Sequence, residues 1–279
     1  MKMNTPDIAV LLTCHNRRPK TIECLTNLFS QAGKGTVFNI SVFLVDDGST
    51  DGTAEAVKKQ FPGVRIIYGT GSLYWNRGMH LAWQKAKEAA DFDYYLWLND
   101  DTNLMPDALT ELLECTALQR DHAVICGAIC SGITHSFTYG GRSADGKEVL
   151  PGNDMPECHV INGNCVLVSR EICNRVGMLD PIYPHAIGDH EYSLRAAKKG
   201  FTSVTTRRFI GYCERNDSLP AWCYSKVPLK KRVKALYSPL GNSHPYYFFL
   251  FERKYYGLPK AVKHYLTIHL RLLLPSLWK

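Results

Sequence analysis

One amide and two adjacent carboxylates, Asn99-Asp100-Asp101, close the stretch YYLWLNDDT at 94–102, where an apolar run turns abruptly acidic. Carboxylates in that position suit the binding of a divalent cation, magnesium or manganese, that bridges the oxygens of a diphosphate and neutralises their charge. Three more polar clusters also directly follow short apolar runs. Thr13-Cys14-His15-Asn16-Arg17 follows IAVLL, Asp46-Asp47-Gly48-Ser49-Thr50-Asp51 follows ISVFLV, and GTGSLYWNRG (69–78) follows VRIIY. The DDGSTDG segment is also ordinary turn and helix-cap chemistry, with Ser49 or Asp51 able to cap a helix starting near Thr53. Four such clusters together point to a composite site. No G-x-G-x-x-G follows the first run and no G-x-x-x-x-G-K-[ST] occurs, so a phosphate must be held by other means than a glycine loop.

The elements that position these clusters are legible from hydrophobic pattern. Residues 8–12, 40–45, 64–68 and 94–98 are short, mostly apolar runs of the kind buried on both faces of a parallel sheet. Between them, Ile22, Leu25, Leu28 and Phe29 repeat at helical spacing, as do Met79, Ala82, Trp83 and Ala86; Ala108, Leu109, Leu112 and Leu113 do so after the fourth run. The alternation predicts an α/β fold, an open and mainly parallel sheet flanked by helices, in which ligands gather at the carboxyl ends of the strands.

The motifs LLTCHNR, FLVDDGSTDGT, GSLYWNRGM, LWLNDDT and GDHEYSLRAAKKG, in that order over about residues 6–215, resemble the inverting family-two glycosyltransferases of GT-A fold, and within them the rhamnosyltransferase-like enzymes of bacterial surface-polysaccharide synthesis (O-antigen or capsule). The resemblance implies that Thr13, His15, Asn16, Asp46 and Asp47 line the base and ribose of a nucleoside-diphosphate sugar. It further implies that Trp75 and Asn76 close over the nucleotide, that Asn99 and Asp100 meet it beside a metal, and that Asp101 is the metal ligand. Asn99 stands where the family carries the first aspartate of its D-x-D; an amide can bond ribose hydroxyls but adds no charge to a cation site. Asp189 falls on the family's catalytic base and Glu191 on its second acidic position, whereas Gly188 replaces the usual first acid. Asp189 could equally serve as a helix cap. Asn162, Gly163 and Asn164 match a segment flooring the sugar pocket and could also be a plain turn. No histidine stands at 209–213, where many members have one; His185, His190 and His244 are the alternatives.

Charge divides the chain. Residues 1–225 carry 22 basic and 25 acidic groups, whereas residues 226–279 carry 11 basic and one acidic, with ten of the chain's aromatic residues. Together with the resemblance, which implies a GT-A domain over 1–225, the division predicts a basic, aromatic-rich helical extension over 226–279. Its interleaved leucines, tyrosines and terminal Trp278 suit an anionic membrane surface, and with it a lipid-linked glycan acceptor, better than nucleic acid. A helical hairpin packed on the domain, or a dimer contact, is the alternative. The ten cysteines are scattered without zinc spacing, and the N-terminus has no signal-peptide pattern, so free thiols and a cytoplasmic place at the inner membrane face are expected. Sugar nucleotidyl transfer would want a glycine- and lysine-rich loop in place of CHNRRPK, and glycoside hydrolysis would not need the nucleotide-type strand ends. A non-catalytic nucleotide-sugar or carbohydrate-binding module stays open through Asn99 and Gly188.

Overall fold

The computed structural model describes residues 5–215, 218–241 and 243–277; Trp278 lies outside them. Strand and helix alternate through β1 (Asp7–Cys14), α1 (Arg18–Phe29), β2 (Asn39–Asp46), α2 (Thr53–Gln60), β3 (Arg65–Tyr68), α3 (Tyr74–Ala89) and β4 (Tyr94–Leu98). There follow β5 (Asn103–Leu104), α4 (Ala108–Leu118), β6 (Ala123–Cys130), β7 (Phe137–Tyr139), β8 (Gly141–Arg142), β9 (Glu148–Val149), β10 (Val160–Ile161) and β11 (Cys165–Ser169). The described chain ends with α5 (Arg170–Val176), α6 (Gly188–Lys198), β12 (Thr202–Tyr212), α7 (Leu229–Leu236), α8 (Pro245–Tyr256) and α9 (Leu258–Leu273).

The main sheet has the order β3-β2-β1-β4-β11-β6-β12-β5, with β7 beside β6. Its first four strands are parallel, β11 runs antiparallel between β4 and β6, and β12 is parallel to β6. Side chains alternate across a strand, and β1 shows the result. Ile8, Val10 and Leu12 join a layer with Leu25, Leu28, Leu109 and Leu112 of α1 and α4, while Ala9 and Leu11 join Met79, Trp83 and Tyr192 of α3 and α6 on the other face. Both faces of β1 are therefore dry, which is why its central residues are apolar, whereas the edge strand β3 leaves Arg65 and Tyr68 exposed. All ten cysteines are free and buried.

The chain after β12 is not a separate appendage. Trp222 and Cys223, just before the expected boundary at 226, bury with Leu236, Ile268 and Leu272 of α7 and α9. Phe251 of α8 buries with Tyr183, Ile187 and Leu194 of the main body. Among the described residues no helix is long and apolar enough to cross a membrane.

Candidate functional site

The parallel arrangement brings the ends of β1, β2 and β4 side by side: Cys14 pairs with Asp46, and Leu11 with Trp97. The loops beyond them are fastened to one another. His15 Nδ1 lies 2.7 Å from the Asp47 carbonyl oxygen, and the Asn16 side-chain oxygen accepts the Thr50 N–H at 2.7 Å. Asn16 has φ +51°, a left-handed conformation that asparagine tolerates better than most residues. Asp46 and Asp47, 2% and 4% exposed, are occupied by backbone. Asp46 accepts the Ser49 N–H, and Asp47 accepts those of Gly71, Leu73 and Tyr74 at 2.7–3.0 Å. Asp47 thus organises the loop that leads into α3. Thr13 is likewise turned toward α3, where a Cβ on Gly78 would stand 2.3 Å from its hydroxyl.

At the end of β4 the acid pair already has a counter-ion. Arg17 donates to Asp100 Oδ1 and to Asp101 Oδ2, both at 2.7 Å, and the Lys20 ammonium stands 3.8 Å from Asp101. Burial pushes Asp100 up to about 6, with Arg17 opposing the rise and Asp101 adding to it. The motifs alone give Arg17 no role, although a signal for one is present: two neighbouring carboxylates at the end of a buried strand require a cation, and Arg17 closes the adjacent strand-end loop. Asp101 is partly exposed, and among the described residues no three His, Cys, Asp or Glu side chains converge on a metal position. The donor set fits a cation that takes one hard carboxylate from the protein and its other ligands from a diphosphate and water, once Arg17 has released Asp101.

A chain of contacts joins this strand end to α6. Trp75 donates its indole N–H to Asn99 Oδ1 at 2.6 Å, so the amide that replaces an aspartate holds a ring in place. The ring lies against Gly163, where a Cβ would come within 2.3 Å of it. The Gly163 N–H in turn donates to Asp189 Oδ2 at 3.0 Å, and the His190 N–H to Asp189 Oδ1 at 2.9 Å. Asn164 is buried; its carbonyl accepts the Asn99 N–H. His185 accepts the Trp75 backbone N–H at Nδ1, which leaves its proton on Nε2. Burial lowers the His185 pKa, with Asp189 opposing and Arg17 reinforcing the shift. Of the three candidate histidines, His185 is the one whose ring joins this network; His190 enters it through its backbone N–H alone.

Helix α6 clarifies the other assignments. Its N-cap is Ile187, at φ +77°, and Asp189 lies in the first turn rather than at the cap. Glu191, two residues on, faces the opposite side and is fully buried. It accepts from Arg195 at 2.9–3.1 Å, from Lys254 at 2.8 Å and from the Tyr255 hydroxyl at 2.7 Å. Its pKa is lowered because these donors, Arg195 foremost, outweigh the opposing effect of burial. Glu191 therefore clamps α8 to α6 and does not reach the substrate side. Asn76 is also buried; it donates to the carbonyls of Asp180 and Tyr183 and holds that segment to α3 rather than opening onto solvent. A Cβ on residue 188 would stand 1.9 Å from the Asn76 side-chain oxygen, which explains why glycine, and no acid, occupies that position.

Comparison with known proteins agrees with this architecture. The chain is 26% identical over 162 residues to EpsH of Bacillus subtilis, named as a glycosyltransferase, spanning 57% of this chain and 43% of that protein. It is 26% identical over 200 residues to the N-acetylglucosaminyl-diphospho-decaprenol L-rhamnosyltransferase of Mycobacterium tuberculosis, spanning 59% of this chain and 63% of that one. The chain thus spans less than two thirds of the length of these curated relatives. Among solved structures, the mannosyltransferase PcManGT of Pyrobaculum calidifontis, in complex with GDP-Man and Mn2+, superposes with a TM-score of 0.57 at 17% identity, covering 94% of this chain and 74% of that one. S. aureus TarS superposes with a TM-score of 0.56 at 14% identity, over 90% of this chain and 44% of that one. These likenesses establish the GT-A fold. The Glycosyl transferase family 2 model matches residues 9–177, more than half the chain, and the chain belongs to that family.

Proposed function

We propose that the protein transfers a sugar, with inversion, from a nucleoside-diphosphate sugar to a hydroxyl of a glycan acceptor carried on a membrane lipid, in bacterial surface-polysaccharide synthesis. The observation that carries this reading is the contact chain Asn99–Trp75–Gly163–Asp189, which ties a strand-end acid pair to a carboxylate on a second element. The decaprenol-linked acceptor in the rhamnosyltransferase relative's name supports the lipid part.

In this mechanism Asp189 takes the proton from the acceptor hydroxyl as that oxygen attacks the anomeric carbon opposite the leaving diphosphate. Two backbone N–H groups already orient its oxygens, and each oxygen retains a lone pair for the proton. Asp101 would hold a magnesium or manganese ion, which when bound would supply neutralising charge to the leaving diphosphate. Arg17 presents a two-pronged donor at the same strand end, suited to phosphate oxygens once it lets go of Asp101. The exposure of His15 and Asn16 on the loop after β1 supports a role for them in meeting the nucleotide. A binding-only module has one observation in its favour, the occupation of both carboxylates by Arg17.

One set of measurements separates the two readings. We expect one nucleoside-diphosphate sugar to raise the melting temperature in a metal-dependent way, by the equivalent of about 2.7 kcal/mol at a hundredfold excess over Kd. Asp101→Ala should abolish that shift. Asp189→Asn should keep it while lowering kcat by roughly 10²–10⁴. Binding without turnover in the unaltered protein would leave only the module.

A further inference from the structure

The C-terminal helices carry an apolar surface that the fold leaves uncovered. Helix α9 has two apolar arcs. One, with Ala261, Ile268 and Leu272, is buried against the rest of the protein. The other, with Leu258, Val262, Leu266, Leu270 and Leu273, recurs at four- and three-residue steps and faces outward, Leu266 being 61% exposed. A second outward stripe runs along and beyond α7 through Leu229, Val233, Tyr237 and Leu240. The stripes meet, since the Tyr237 hydroxyl lies 2.8 Å from His269 Nε2 and the His269 ring packs on Tyr265 with centroids 4.4 Å apart. Soluble monomers rarely expose so continuous an apolar patch without a partner for it.

The charges around the patch identify the partner. Lys260 and Lys263 flank the α9 stripe, and Lys230, Lys231 and Lys234 flank that of α7. Glu252 is the only acidic side chain from 226 onward; it is buried, with its carboxylate 3.0 Å from His264. A rim with positive charge and no exposed acidic side chain suits an anionic headgroup layer, and leucines on the face between suit the acyl boundary beneath it. A symmetric contact with a second copy would instead set the lysine rims of the two copies against each other. The α9 stripe is aliphatic throughout and offers no series of aromatic platforms on which single-stranded nucleic acid stacks.

We infer that α7 and α9 together form a docking face that lies in the plane of an anionic bilayer. The face is tied to the reaction side. Phe251 of α8 buries against Tyr183 and Ile187, in the segment that contains His185 and leads into α6. Lys254 and Tyr255 hold Glu191 on the same helix as Asp189. Docking would therefore anchor, through α8, the helix that carries Asp189 at the bilayer in which the proposed lipid-linked acceptor resides. The inference deepens that reading, yet it is testable without donor or acceptor, so either can fail alone.

The test is co-sedimentation of the full chain with vesicles of phosphatidylcholine alone and of phosphatidylcholine mixed with phosphatidylglycerol, at low and high salt. We expect binding to the anionic vesicles only, weakened by salt, and reduced about tenfold by Leu266→Glu with Leu270→Glu and similarly by Lys260→Glu with Lys263→Glu. These side chains are exposed, so thermal melts of the variants should match the parent. Failure of the parent to sediment with anionic vesicles, or undiminished binding by both double variants, would overturn the inference. So would a parent that is dimeric by ultracentrifugation, indifferent to vesicles, and made monomeric by the leucine replacements.

Discussion

Two carboxylate sites in this protein share one chemistry and have different fates. At the end of β4, Asp100 and Asp101 are held by one arginine, Arg17, with Lys20 at longer range and the Thr21 hydroxyl donating to Asp100 at 3.4 Å. On α6, Glu191 is held by Arg195, Lys254 and Tyr255 at once, with no exposure to solvent. The difference is saturation. Glu191 has every oxygen engaged by donors from two helices, so any change leaves buried charge uncompensated, and the cluster is architecture. The strand-end pair shares a single fork between two acids and keeps Asp101 partly open, so an incoming cation or phosphate can rearrange it at modest cost. Position in the sequence does not separate the two; the number of converging donors does.

Three measurements put this contrast at risk. The largest effect belongs to Glu191→Ala, which should cost about 3–5 kcal/mol in urea unfolding because Arg195 and Lys254 lose their common partner. Asp101→Ala, at the partly open end, should cost under about 1 kcal/mol in the same assay. Equal losses at the two sites would remove the distinction. Next comes Arg17→Ala, which should tighten Mn2+ binding without donor about tenfold, read by the electron paramagnetic resonance signal of free manganese, since the acid pair then lacks its resident counter-ion. Unchanged affinity would mean that Arg17 does not compete with a metal for Asp101. The smallest effect is one of pH. Asp100 is an acid whose folded-state pKa, about 6, exceeds its ordinary 3.8, so between those values the folded protein holds more proton than the unfolded chain. Its contribution to stability is then fully present below about 4 and is lost as pH rises toward 6, and Asp100→Asn should remove that dependence from the stability profile. A variant with the parent's slope in that range would assign the dependence to other groups.

Part of the site is legible in the sequence because its cause is local. A strand covered on both faces must be mostly apolar, so IAVLL, ISVFLV and YYLWL mark β1, β2 and β4 to within two residues, and VRIIY marks the more exposed edge strand β3. Parallel pairing then obliges the polar clusters after those strands to share one edge, which is why Asp46, Asp47 and Asn99 to Asp101 can be grouped from their positions in the chain. Their individual roles are not legible there, because those depend on what arrives from far along the chain. Asp47 organises a loop that begins at Gly69, and Asn99 is the acceptor for Trp75. Asn76 is drawn into the interior by the carbonyls of Asp180 and Tyr183.

The order of residues thus suffices for the alternating sheet scaffold, the edge at which polar chemistry collects, and the basic, aromatic character of residues 226–277. It does not suffice to say which acids are spent on architecture; that follows from packing. Asp189 and Glu191 are two residues apart and chemically alike, but a helix turns them to opposite sides. One side meets the Gly163 N–H, and the other meets Lys254 and Tyr255, more than sixty residues downstream. Helical periodicity places the two carboxylates apart, but the partner each one meets is a long-range packing outcome that no local pattern encodes.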